Sequence, residues 1–269
     1  MTGGGRVALV TGAARGIGAA TVQTLARQGW SVLAVDLAAS DPAVPYALGT
    51  EAELKSVVAQ AAETAGHEDR IAPQVADVRD VAALESAVTE AESRWGRLDA
   101  AIACAGVIAG GVRQWEVPRE QEQAVLDVDL GGVLNLARAA VPALLRAPQP
   151  RSGRFLAVAS AAAVRGLPML AAYCAAKSGV TGLIRALAVE LGPSGVTANA
   201  VSPGSTATAM LDESARLYGL TSMHDFAKTQ PSNRLIDPDE VAAVLAFLAS
   251  PASGAMTGAI VPVDGGLAL

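Results

Sequence analysis

The sequence predicts an α/β domain of the doubly wound kind: a parallel sheet of about seven strands with helices on both faces. Short apolar runs alternate with amphipathic segments along most of the 269 residues, and no long linker interrupts them. With 51% hydrophobic and 17% charged residues, the chain can fill one large core, so residues 1–269 read as a single domain.

The first strand is Val7–Val10. It runs into Thr11-Gly12-Ala13-Ala14-Arg15-Gly16-Ile17-Gly18, after which a helical pattern begins. Glycines at such a turn let backbone N–H groups and a helix N-terminus come close to a pyrophosphate. Without a ligand, the same residues would make a tight strand-to-helix turn. The second strand, Ser31–Val35, leads to Asp36 and Leu37, with Asp36 eighteen residues after Gly18. A carboxylate there suits the ribose hydroxyls of adenosine and repels a 2′-phosphate, which favours NAD over NADP. Arg15 argues for NADP if its side chain turns to a phosphate.

Thr50 and Glu53 have capping-box spacing, and Leu54, Val57, Val58 and Ala61 continue a helical stripe to Gly66. The third strand is Ile71–Val75. Asp80 then caps a helix whose apolar face is Val81, Leu84, Val88, Ala91 and Trp95, and Ala100–Ala103 is the fourth strand. Ala147–Gly153, with Pro148 and Pro150, reads as a surface connection to strands Arg154–Ala159 and Thr197–Val201. Asp237-Pro238-Asp239-Glu240 opens a helix through Val241, Val244, Leu245 and Leu248. The uncharged run Val241–Val263 resembles a membrane span in length. Pro251, Gly254 and Gly258 divide it into a buried helix and a seventh strand, Ala259–Val263.

A net charge of −6 without a Lys/Arg cluster argues against nucleic-acid binding. Met1–Arg6 passes straight into the first strand without signal-peptide features, so a cytoplasmic location is expected. Cys104 and Cys174 are expected to be small buried hydrophobes, and with His67 and His224 they show no metal-ligand spacing.

Tyr173 and Lys177 lie at i and i+4, on one face of a helix, with Ser160 thirteen residues before the tyrosine. An ammonium beside a phenol favours the phenolate and is expected to pull Tyr173 down from about 10 towards working pH. Tyr173 then serves as an acid or base at a carbonyl or alcohol. Such a pair alone occurs on many solvated helices; the glycine turn upstream gives it weight.

With these residues in place, the chain resembles the short-chain dehydrogenase/reductase family over nearly its whole length. The resemblance also rests on Asp77-Val78, Ala105-Gly106, Pro203-Gly204 and Asp264-Gly265-Gly266, in order. It implies a Rossmann-type fold, NAD as cofactor, and Ser160, Tyr173 and Lys177 as the catalytic set. It also implies cofactor contacts from Gly12, Arg15, Gly16, Ile17, Gly18, Asp36 and Leu37. Asp77 and Val78 would lie at the adenine, Ala105 and Gly106 beside a ribose, and Pro203, Thr206 and Thr208 near the carboxamide. Lys177 would hold the nicotinamide ribose. A homo-oligomer, dimer or tetramer, with Val261–Leu269 at an interface, is implied as well.

Two positions depart from the family pattern. Ala103-Cys104-Ala105-Gly106 stands where Asn-Asn-Ala-Gly is usual, and Asp129 stands in place of a catalytic asparagine. Asp129 is therefore not counted in the catalytic set; Asn135, six residues on, would face another side of its helix. Residues 40–70 form a longer link than the family usually has, which is similar to the branch associated with mycofactocin, a peptide-derived redox cofactor. That similarity implies tightly held NAD with electrons leaving through mycofactocin; as a plain surface insertion it would have no catalytic consequence.

Residues 205–232, with Met210, Leu211, Leu217, Tyr218, Leu220, Met223 and Phe226, read as a lid over an apolar alcohol or ketone, and Val107, Ile108, Trp115 and Met169 are candidates for the same pocket. Two other functions stay open: a carbonyl reductase with exchanging cofactor, and a non-catalytic NAD-binding regulator, for which only the altered asparagines speak.

Overall fold

A computed structural model describes residues 5–66, 68–147 and 149–269, so the expectations for Met1–Gly4, His67 and Pro148 lie outside the described residues. Seven parallel strands form one sheet in the order β3-β2-β1-β4-β5-β6-β7. They are β1 (Val7–Thr11), β2 (Ser31–Asp36), β3 (Ile71–Val75), β4 (Ala100–Ala103), β5 (Arg154–Val158), β6 (Thr197–Pro203) and β7 (Ile260–Val263). Every residue of β1, β4, β5 and β6 is buried, as strands covered on both faces require. The two edge strands carry Pro73 and Pro262, whose missing N–H is tolerated there.

Strand ends differ from the expected ones by a residue or two. The ladder carries polar Thr11 and Asp36 at strand ends, which apolar patterning does not register.

Eight α-helices surround the sheet among the described residues. On one face α1 (Gly16–Arg27) packs between α2 (Glu51–Ala65) and α8 (Pro238–Ala249). The other face carries α3 (Val81–Trp95), α4 (Arg119–Leu126), α5 (Gly132–Arg146) and α6 (Ala171–Leu191). The short α7 (Ala209–Leu217) follows β6. Local signals set the starts: Thr50 and Glu53 close a capping box on α2, Asp237 and Glu240 another on α8 behind Pro238, and Asp80 accepts from the N–H groups of Ala82 and Ala83. The run Val241–Val263 resolves into α8, a single 3-10 turn at Pro251–Ser253, and β7. Arg119–Arg146 is the longer apolar helical stretch, and its most apolar part is more than half buried. One π-helical turn, Asp127–Gly131, interrupts it where α4 passes into α5.

Leu9 is fully buried in the middle of β1, paired with Leu33 and Ala101. Leu9→Ala is expected to cost about 2–5 kcal/mol in urea denaturation, the range for a large-to-small change in a packed core. A loss under about 1 kcal/mol would mean that the sheet centre relaxes around the gap.

Candidate active site

β1 pairs with β2 on one side and β4 on the other, so the chain direction across the sheet reverses at this point. A crevice opens there, beyond the C-terminal strand ends. Its volume is about 680 Å³, and the catalytic and cofactor-binding residues named from sequence all line it.

The glycine turn occupies one end. Gly12 has φ +68°, and a Cβ on it would lie 2.6 Å from the Ala105 nitrogen. On Gly18 a Cβ would lie 2.0 Å from the Gly12 oxygen, so the turn closes only around glycine. Arg15 precedes α1 in extended conformation without a side-chain cap, which leaves the first N–H groups of the helix free to meet an anion. These features fit a dinucleotide pyrophosphate.

Asp36 holds its surroundings in shape: Oδ2 accepts from Ala14 N at 2.9 Å and Oδ1 from Ala38 N at 3.0 Å. Arg15 lines the crevice with its guanidinium engaged by the chain itself. It donates to the Ala47 carbonyl at 2.7 Å and stacks over the Tyr46 ring, contacts that compete with a 2′-phosphate for the same guanidinium.

The link before α2 forms a strap along the crevice, contributing Asp41, Tyr46, Leu48 and Gly49 to its wall. Three contacts pin it. Arg15 holds Ala47, the Tyr46 hydroxyl accepts from Ile108 N at 3.3 Å, and Asp41 pairs with Arg79 at 2.7 Å. Arg79 also pairs with Asp77 at 2.6 Å, and Asp77 is held below its usual value by this guanidinium and by the Arg79 N–H, against the opposing effect of burial. Sequence reading missed Tyr46, Asp41 and Arg79 as a unit.

Ser160, Tyr173 and Lys177 meet at the other end. Ser160 follows β5 and accepts from Ala162 N at 3.1 Å. Tyr173 stands in the first turn of α6, 8% exposed, and Lys177 one turn on, 3% exposed. The Lys177 ammonium donates to Val158 O at 3.1 Å and lies 5.6 Å from the centre of the Tyr173 ring. The expected lowering of Tyr173 is not found. Burial pushes the phenol up, Asp129 adds to that, and Lys177 and the Ser160 hydroxyl oppose without overcoming it.

Asp129, on the π-helical turn, is completely buried, with Oδ2 3.2 Å from Lys177 Nζ and Oδ1 accepting from Val107 N at 2.7 Å. The position marked only as a departure thus belongs to the site. Asn135 instead donates to Val78 O and Arg79 O, away from Lys177. Cys104 and Cys174 are half-buried rather than fully buried; Cys104 lies in the crevice wall, and burial pushes its thiol up to about 12.

The wall beside Tyr173 is apolar. Val107 and Ile108 line it, with Leu167 and Leu170, and Met210, Leu211, Tyr218, Leu220 and Phe226 face it from the segment after β6. Tyr218 donates to Pro168 O at 2.8 Å and meets Phe226 edge-on. Four candidates fall outside the wall. Trp115 is 78% exposed, Leu217 packs on Gly111, and Met169 and Met223 do not line the pocket. Apolar character alone does not separate pocket from surface. Thr206 donates to Gly204 O, and Thr208 caps α7 close to Gly16.

A seven-stranded parallel sheet in this order, with a glycine turn at its reversal point, defines a Rossmann-type protein. A family model described as Enoyl-(Acyl carrier protein) reductase matches residues 12–268. The short-chain reductase protein NovJ of Streptomyces niveus is 38% identical, covering 97% of this chain and 93% of the relative. The (-)-trans-carveol dehydrogenase of Rhodococcus erythropolis is 34% identical, with 98% of each chain covered. Carveol dehydrogenase from Mycobacterium avium, crystallised in complex with NAD, superposes with TM-score 0.91 at 32% identity over 98% of each chain. The chain belongs to the short-chain dehydrogenase/reductase family.

Proposed function

We propose that this protein is an NAD-dependent oxidoreductase acting on an apolar alcohol or ketone. One observation carries the reading. Ser160, Tyr173 and Lys177 converge where the apolar wall meets the crevice that begins at the glycine turn. When bound, the nicotinamide supplies the hydride acceptor or donor, and its oxidised form brings a positive charge. Tyr173 takes the hydroxyl proton of an alcohol, or returns it to a ketone. Ser160 hydrogen-bonds the substrate oxygen and fixes it against the phenol. Lys177 holds the nicotinamide ribose and offsets charge on the phenolate. The apolar wall orients the rest of the substrate and, with Tyr218 latched to Pro168, excludes water. Asp36 and Arg15, one a carboxylate at the ribose position and the other occupied by the strap, support NAD as the cofactor, as does the NAD complex of the Mycobacterium avium relative.

The finer reading is that NAD is tightly held and that electrons leave through mycofactocin. The strap supports it, because its pins join the glycine turn, the loop after β3 and the loop after β4 across the crevice. We read the enzyme as a cytoplasmic homo-oligomer, dimer or tetramer, and the exposed Val189 and Phe247 are apolar side chains that a subunit contact would cover.

The test is to purify the protein without added cofactor, denature it, and measure NAD per chain. Near one NAD per chain, reduced in a single turnover of a probe such as carveol without exchange against labelled NAD, is the expected result. Arg79→Ala, which frees both Asp41 and Asp77, should raise the exchange rate by about tenfold or more, as loss of a charge-assisted contact allows. An empty protein that turns over freely with added NADH would instead identify an ordinary carbonyl reductase with an exchanging cofactor. Unchanged exchange in the variant would remove the strap's role.

A further inference from the structure

Asp129 stands where the family pattern has a neutral asparagine, and its surroundings give a carboxylate something to do there. The side chain is 0% exposed. Oδ1 accepts the Val107 N–H at 2.7 Å, which ties it to the loop after β4. Oδ2 has no hydrogen-bond donor aimed at it among the described residues, and what it faces is the Lys177 ammonium at 3.2 Å. A Cβ on Gly106 would lie 3.4 Å from Asp129 Oδ2 and 3.5 Å from Lys177 Nζ, so that glycine covers the pair directly. An unpaired charge so buried would be strongly disfavoured, whereas each of these two groups answers the other.

We propose that Asp129 is the ionised counter-ion of Lys177, a positioning residue that fixes the ammonium between itself and Val158 O and partly cancels the lysine's charge as felt by Tyr173. In consequence the phenol holds its proton more tightly than it would beside an uncompensated ammonium.

The titratable groups bearing on this cluster are few. Lys177 and Tyr173 come from α6, together with Cys174; Cys104 comes from the loop after β4, and Tyr46 from the strap. Asp127, two residues before Asp129, is turned outward to Gln123. Burial outweighs the pull of Lys177 and the Val107 N–H and holds the Asp129 carboxyl above its usual value, while Lys177 is held above its own because Asp129 and Tyr173 outweigh its desolvation.

The chain contains only three tyrosines, so tyrosinate absorbance can be followed as the pH is raised and Tyr173 identified as the difference from Tyr173→Phe. Asp129→Asn keeps the shape and removes the charge. The Tyr173 midpoint should then fall by about one pH unit or more, because the ammonium acts on the phenol undiminished. The ascending limb of alcohol oxidation should move to lower pH by a similar amount. An unchanged midpoint would mean that Asp129 is neutral or uncoupled, and an upward shift would mean that it does not oppose Lys177; either overturns the proposal.

Lys177→Met gives an independent reading if the first variant folds poorly. Its buried carboxylate, left without a counter-ion, has a folded-state pKa above the unfolded value near 4. Stability should therefore gain more as the pH is lowered from neutral towards that value than it does in the wild type, where Lys177 offsets part of the shift. Equal pH dependence in the two proteins would also overturn the proposal. The inference rests on Tyr173 as the proton-carrying group, yet the absorbance titration needs no turnover. Failure to find any alcohol substrate would leave the titration standing, and a failed titration would leave the effect of Tyr173→Phe untouched.

Discussion

Tyr173→Phe is expected to lower turnover by about a hundred- to ten-thousand-fold, the usual contribution of a positioned general acid or base. The substitution removes one oxygen from a ring that is 8% exposed and held in the core by its neighbours, so the fold should keep its shape. NAD recovered per chain should stay as in the wild type, since Lys177 and the glycine turn remain. The two readouts together separate a lost proton carrier from a lost cofactor. A fall in turnover of less than about tenfold, with NAD still present, would assign the proton to another group and remove Tyr173 from the mechanism.

Gly18→Ala should act at the other end of the crevice and in the opposite sense. A Cβ there would stand 2.0 Å from the Gly12 oxygen, a backbone atom that cannot swing aside like a flexible side chain. The turn must open, and with it the array of N–H groups at the start of α1. NAD per chain should fall by about tenfold or more, and the overlap should cost about 1–3 kcal/mol of stability in urea denaturation. Full NAD content in a normally stable Gly18→Ala protein would show that the turn does not cradle the cofactor.

Much of the architecture was legible because it is set locally. The capping boxes at Thr50 and Asp237 and the cap at Asp80 are spacings of two or three residues, and they appear where the spacing places them. The glycine turn, Asp36 and the Ser160, Tyr173 and Lys177 set likewise sit at strand ends or on one helical face, and the sheet brings these ends together. Contacts between distant segments were not legible. Tyr46 reaches Ile108 across 62 positions and Arg79 reaches Asp41 across 38, with no periodic signal linking them. Arg15 was seen as a residue of unknown direction because only the folded strap tells it which way to turn. Trp115, Met169, Leu217 and Met223 were drawn into the pocket by their chemistry, although exposure or packing puts them elsewhere. Asp129 was visible as a departure from a pattern. Its value depends on the completeness of its burial and on the direction of its second oxygen, which no spacing conveys. The lowering expected for Tyr173 considered the lysine alone, whereas burial and Asp129 act on the same phenol from behind.

The strap across the crevice bears on what sets the direction of the reaction. A dinucleotide that came and went would bring each site to the oxidation state of the dissolved NAD and NADH around it. One retained beneath Ala47, Tyr46 and Asp41 would be oxidised or reduced only by molecules that enter the apolar side. The balance between alcohol and ketone would then follow the supply of those visiting molecules, and the cell's nicotinamide ratio could change without the enzyme registering it.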